Sequence, residues 1–171
     1  MSNARMIEHL RSRGYDPERY CTQWVSEDCL TVPLFDFAGC LRGTQVYTPS
    51  FPKHDPNPKL CRYFTRCFSK TQCLWGTELP VRTGTVFLTE SVFKSAALHR
   101  LGLDSWSVNG STLQNLLLDQ LSLLPYRFIC IGDDDKAGRE FAATFTDGAV
   151  MDDLDERTPQ ELKSLTQQFG V

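Results

Sequence analysis

The chain has 171 residues and a net charge of −3, with 41% hydrophobic and 23% charged side chains. That length holds one ordinary domain, with or without a small appendage, and the balance excludes disordered and fibrous classes. No apolar run approaches the roughly 18 residues of a membrane span, and residues 1–10 carry charges where a secretory signal would be apolar, so a cytoplasmic protein without a membrane partner is expected.

In chain order, Met6, Ile7 and Leu10 predict a short amphipathic helix over residues 3–13, stopped by Gly14. Residues 20–47 turn to β-rich runs, with a strand at 30–35, a turn at 36–39 and a strand at 41–47; Pro33, lacking an N–H, suits an edge position. Prolines 49, 52, 56 and 58 predict a loop, followed by a strand near 62–65 and a turn at Trp75-Gly76. From residue 85 strands and helices alternate: strands at 85–89, 106–108, 126–131 and 149–151, and helices at 92–100, 113–124, 136–145 and 159–168. That alternation predicts a mostly parallel sheet flanked by helices, hence an α/β fold preceded by a small β-rich module.

The seven cysteines are an odd number, without a C-x-x-C pair, and Cys61, Cys67 and Cys73 are spaced too widely for a zinc knuckle. Free thiols behaving as small hydrophobes are expected, and no structural zinc. Charge is uneven along the chain. Residues 41–84 hold seven basic and two acidic side chains, net +5, whereas residues 85–171 hold seven basic and thirteen acidic ones, net −6. Two solvated faces of unlike composition would give this pattern, and so would a protein that grips a polyanion at one place and cations at another.

Ligands of an open parallel sheet bind at the carboxyl ends of its strands. Glu90 follows one predicted strand and Asp133-Asp134-Asp135 another. Extended residues at i and i+2 point the same way, so Asp133 and Asp135 can share one cation, Mg²⁺ or Mn²⁺ by its preference for carboxylate oxygen, while Asp134 faces elsewhere. The same acids also suit the N-terminus of the helix that follows, where side chains cap and the macrodipole favours negative charge. Both readings stand on the residues alone.

Leu88-Thr89-Glu90, followed about 40 residues later by Gly132-Asp133-Asp134-Asp135-Lys136-Ala137-Gly138-Arg139, resembles the Toprim domain, and the second string is most similar to its DNA primase branch. The strand–turn–strand over 31–48 and the Leu-Trp-Gly at 74–76 resemble the module before Toprim in phage and mobile-element primases. Met151-Asp152-Asp153-Leu154-Asp155 resembles the acidic element after it. Two departures stand out: Ser91 takes the place of the usual glycine and Lys94 that of the usual aspartate after Glu90.

The resemblance implies two parts, residues 1–84 for template binding and 85–171 as the Toprim catalytic domain. It implies metal-dependent nucleotidyl transfer, that is, primer synthesis on a single-stranded template in bacteriophage or mobile-element replication. Glu90, Asp133 and Asp135 would be the catalytic and metal-holding set, with Asp152 and Asp155 as further acidic candidates. Lys94, Lys136 and Arg139 would meet nucleotide phosphates. Arg62, Arg66 and Lys70, interleaved with Tyr63, Phe64 and Phe68, form a candidate strip for single-stranded DNA or RNA, or else the alternating core and solvent residues of a sheet edge. The implied partners are nucleoside triphosphates and a separate helicase or zinc-bearing template-recognition protein, because no P-loop string occurs. A Toprim nuclease cleaving phosphodiesters and a non-catalytic nucleic-acid- or partner-binding protein are the alternatives.

Overall fold

Helix α1 (Ala4–Ser12) buries Met6 and Leu10, and Gly14, at φ 77°, turns the chain out of it. The structure is a computed structural model that describes residues 3–171, so Met1 and Ser2 of the N-terminal stretch lie outside the described residues. Next come β1 (Gln23–Ser26), β2 (Cys29–Phe35), β3 (Leu41–Tyr47) and β4 (Tyr63–Cys67), an antiparallel meander in the order β1-β2-β3-β4. Period-2 burial along β2 alternates half-buried and buried positions, so Leu30, Val32 and Leu34 form its inner face. Strand β2 is central rather than at an edge. Pro33 is tolerated because the β1 pairing ends at Thr31, two residues short of it, while Thr44 of β3 lies on the other side.

The second sheet is all parallel, in the order β6-β5-β7-β8, from β5 (Thr85–Thr89), β6 (Ser105–Ser107), β7 (Arg127–Gly132) and β8 (Gly148–Val150). Every residue of β5 is buried, as expected of a central parallel strand covered on both faces. Alternate side chains divide the layers. Val86, Leu88, Phe128 and Cys130 pack with Leu117 and Leu121 of α3 (Asn115–Ser122) and Phe141 of α4 (Lys136–Ala142). Phe87, Ile129 and Ile131 pack with Ala97 and Leu98 of α2 (Val92–His99) and Leu162 of α5 (Pro159–Gln167). Each large apolar side chain so buried contributes roughly 1.5–3 kcal/mol. Helix α5 starts with Pro159 after a capping box of Thr158 and Glu161.

Helix α2 joins the two sheets. Its Val92, Phe93 and Ala96 belong to the same apolar cluster as Leu10, Tyr15, Leu30 and Val32 of the N-terminal module. Backbone bonds add a second link at Leu74-Trp75: Leu74 exchanges N–H···O bonds of 3.0 and 2.8 Å with Phe35 at the end of β2, and Trp75 exchanges bonds of 3.0 and 2.9 Å with Ser107 at the end of β6. Trp75, read from the sequence as part of a turn, is therefore a fully buried splice between the sheets, and the turn follows at Gly76, whose carbonyl accepts from Leu79 N–H. All seven cysteines are free thiols. Among the described residues no helix is long and apolar enough to cross a membrane.

Candidate functional site at the carboxyl ends of the parallel strands

Strands β5 and β7 are adjacent and parallel, so Glu90 and Asp133, each one residue past its strand, emerge side by side. The Asp133 N–H donates to Glu90 Oε1 at 3.4 Å. Glu90 is half-buried, and burial raises its carboxyl above the usual carboxylate range; Lys94 pulls it down, Asp133 and Asp135 push it up. The turn after β5 is fixed from beneath by buried hydroxyls: Thr89 and Ser95 share a 2.8 Å bond, Ser105 Oγ donates to Ser95 Oγ at 2.9 Å, and Ser91 caps α2 by accepting from Lys94 N–H. This sets Lys94 on the first turn of α2, where its ammonium forms an ion pair with Asp133 Oδ1. The Lys94 side chain is only 9% exposed.

The turn after β7 is equally constrained. A Cβ on Gly132 would stand 2.0 Å from the Gly138 carbonyl oxygen, and one on Gly138 would stand 2.2 Å from the Asp133 carbonyl oxygen. Glycine at both positions lets α4 start directly against the strand. Asp135 caps that helix, accepting from Gly138 N–H at 2.7 Å. Asp134 accepts from Arg139 Nε at 2.7 Å, and its own N–H donates to Asp152 Oδ1 at 2.6 Å. Replacing Gly138 by alanine should cost about 1–3 kcal/mol, since backbone rather than a side-chain tip must give way. Thermal denaturation checks this, and an unchanged melting temperature would show that the turn can shift freely.

The structure thus brings Glu90, Asp133 and Lys94 together, with Asp134, Asp152 and Arg139 on the same rim. It does not form the expected trio of Glu90, Asp133 and Asp135 on one cation. Asp135 serves as the helix cap and Asp133 already holds an ammonium, and among the described residues no group of three His, Cys, Asp or Glu side chains is placed to hold a metal ion. The donor set does not fit a pre-formed Mg²⁺ or Mn²⁺ shell. Asp155 lies elsewhere, buried in an ion pair of 2.6 Å with Arg13. Of the expected phosphate-meeting cations, Lys94 is held by Asp133 and Arg139 by Asp134. Lys136 is exposed, 3.9 Å from Glu140.

The basic strip is split by strand alternation. Tyr63 points inward, packing on Tyr47 and Phe93 and accepting a 2.8 Å bond from Arg13, whereas Phe64 and Arg66 face the other way, the guanidinium 5.5 Å over the ring. The inward face is the one that meets the parallel sheet, through Gln45 Nε2 donating to Asn109 Oδ1 at 3.3 Å. Arg66 and Phe64 therefore lie on the side turned away from the parallel sheet. Arg62 is tied to the loop by a 3.2 Å bond to the Phe51 carbonyl; Phe68 is fully exposed. Lys70 lines a pocket of about 300 Å³ with Asn109, Ser111 and Thr112, at the mouth of β6. No sequence signal singles out Asn109. Its φ of 55° and its bonds to Gln45, Ser107 and the Cys73 carbonyl depend on three distant segments meeting.

No family model matches the chain, and no curated protein does. Solved structures do. A DnaG catalytic core is 18% identical with a TM-score of 0.61, over 82% of this chain and 53% of that one. A DnaG primase catalytic domain bound to single-stranded DNA is 18% identical with a TM-score of 0.55, over 84% and 51%. The primase fragment of the bacteriophage T7 primase-helicase protein is 14% identical with a TM-score of 0.55, over 83% and 61%. The fold is that of primase catalytic cores, an α/β parallel sheet flanked by helices beside an antiparallel β module. The chain spans about half the length of the DnaG chains it matches.

Proposed function

We propose that the chain is a primase-like core that binds single-stranded nucleic acid and brings a nucleotide phosphate to the carboxyl ends of β5 and β7, with primer synthesis by nucleotidyl transfer as its reaction. Residues 1–84 would serve the template and 85–171 the transfer. The observation that carries this reading is the adjacency of Glu90 and Asp133 at the one end of the parallel sheet where such folds bind ligands, within a primase-core architecture. The similar DnaG domain was solved with single-stranded DNA, which supports a nucleic-acid partner. In this reading Glu90, half-buried and beside Asp133, accepts the proton of the attacking hydroxyl. Lys70, Ser111, Thr112 and Asn109 receive the strand, Arg66 adds charge from the outer face of β4 and Arg62 from the loop that precedes it. A separate helicase or zinc-bearing template-recognition protein supplies unwinding and start-site choice.

The test is nucleotide extension on a single-stranded template, run with Mg²⁺, with Mn²⁺ and with neither. Extension that Glu90→Gln abolishes supports the proposal; binding of the strand without extension under all three conditions favours the second reading, a binding protein without transfer. The Lys94–Asp133 ion pair is the observation on that side. Binding itself should weaken with salt, and Arg62→Ala with Arg66→Ala should flatten the slope by roughly 0.7 for each phosphate no longer neutralised. Fluorescence anisotropy at several salt concentrations measures this. An unchanged slope would remove Arg62 and Arg66 from the binding surface.

A further inference from the structure

We infer that Lys94 is the resident cation of this site: its ammonium stands at Asp133 in the place a divalent metal would need, so the protein takes up no Mg²⁺ or Mn²⁺ through Asp133. The inference goes beyond the proposed function and does not depend on it. A lysine is almost never buried without a partner, and Lys94 is 7% exposed with its ammonium on Asp133 Oδ1. Its position is built in. Ser91 caps the helix at Lys94 N–H, and the neighbours Val92, Phe93, Ser95 and Ala96 are all buried, so the side chain has little freedom to swing away.

The other acids on the rim each spend one oxygen on a protein donor, Asp134 on Arg139, Asp135 on Gly138 N–H and Asp152 on Asp134 N–H. Mg²⁺ asks for near-octahedral oxygen at roughly 2.0–2.1 Å; with one oxygen of each of these carboxylates already engaged, a shell would have to be built from Asp133 and Glu90, and Lys94 occupies Asp133. Glu90 and Asp133 repel one another when both are ionised, and the Lys94 charge relieves that repulsion as a metal would. A divalent ion arriving beside the ammonium meets like charge at short range in a half-buried setting, where screening is weak. A lysine point charge is also a competent phosphate partner, so the site keeps an anion-attracting group without metal.

Mn²⁺ titration of the full chain, followed by electron paramagnetic resonance of the free ion, tests this. Wild type and Asp133→Asn should bind Mn²⁺ equally, within about twofold, whereas Lys94→Gln should gain a site at least about tenfold tighter, because the like charge is gone. Adding Asp133→Asn to Lys94→Gln should abolish the gained site. Wild-type Mn²⁺ binding that Asp133→Asn removes would overturn the inference, and so would a folded Lys94→Gln protein that gains no site. Lys94→Met serves as the second variant if the glutamine protein does not fold, and the wild-type arm stands without either. No arm contains nucleotide or nucleic acid, so failure here leaves the primase-like reading untouched, and failure of primer extension leaves this inference untouched.

Discussion

Arg13→Met is expected to lower folding stability by about 3–5 kcal/mol, because it strands the Asp155 carboxylate in the interior. Asp155 is 3% exposed, and Arg13 Nε and Nη2 hold its Oδ2 at 2.7 and 2.6 Å. The same guanidinium donates to Tyr47 at 3.1 Å and Tyr63 at 2.8 Å and lies 4.2 Å over the Phe93 ring. Burial works against its charge, but Tyr63 and Asp155 outweigh that and raise its pKa above that of a free arginine. One side chain from the end of α1 thus ties the antiparallel sheet, helix α2 and the 3-10 turn Leu154–Glu156 together. For a chain of this size the loss corresponds to a melting temperature lower by roughly 10 °C. Arg13→Met combined with Asp155→Leu should recover most of it, since removing both groups leaves no charge unpaired. Differential scanning calorimetry of the two variants decides the matter. A single variant as stable as wild type would show that Asp155 finds water or another donor.

The second large effect is acid sensitivity set by His99. Its ring is buried, with Nε2 2.7 Å from the Ser105 carbonyl and Nδ1 3.0 Å from the Tyr20 hydroxyl. A carbonyl only accepts, so Nε2 carries the proton and Nδ1 accepts from Tyr20, which fixes the neutral tautomer. Burial lowers its pKa from 6.5 to about 4; the Ser105 bond and Asp104 act upward, and nearby Arg19 acts downward. Since the unfolded chain binds this proton first, stability rises with pH between about 4 and 6.5. The stabilisation is complete above the unfolded value and is lost as pH falls, about 3 kcal/mol across the window. Glu90, whose carboxyl is raised by burial, acts in the opposite sense at acid pH but is common to wild type and variant. Urea midpoints at about pH 7 and about pH 4.5 should therefore separate strongly for wild type and much less for His99→Gln. Parallel shifts would place the acid sensitivity in other groups.

Local pattern determined a good deal of this protein. The period-2 runs at 30–35 and 41–47, the buried run at 85–89, the leucine-rich helix and the Thr158-Pro159 start all appear as elements within a few residues of where hydrophobic spacing and capping chemistry put them. The alternation after residue 85 also determined that Glu90 and the acids at 133–135 leave their strands at one end, because strands joined by helical crossovers run parallel. Gly138 was legible only as part of the string that carries the resemblance, and the close approach of α4 to β7 is the physical reason for it.

Only the tertiary structure decided what each charged group meets. Asp135 caps helix α4, Asp155 belongs to Arg13, 142 residues away in the chain, and Lys94 is seated on Asp133, 39 residues on. The splitting of Tyr63 from Arg66 and the splice at Leu74-Trp75 likewise follow from which face of one sheet meets the end of the other. Sequence periodicity reports whether a residue points toward an interior or away from it. An ion pair depends instead on two side chains from remote segments arriving at the same few ångströms, and that is set by how helix α2 packs between the sheets, not by any local spacing.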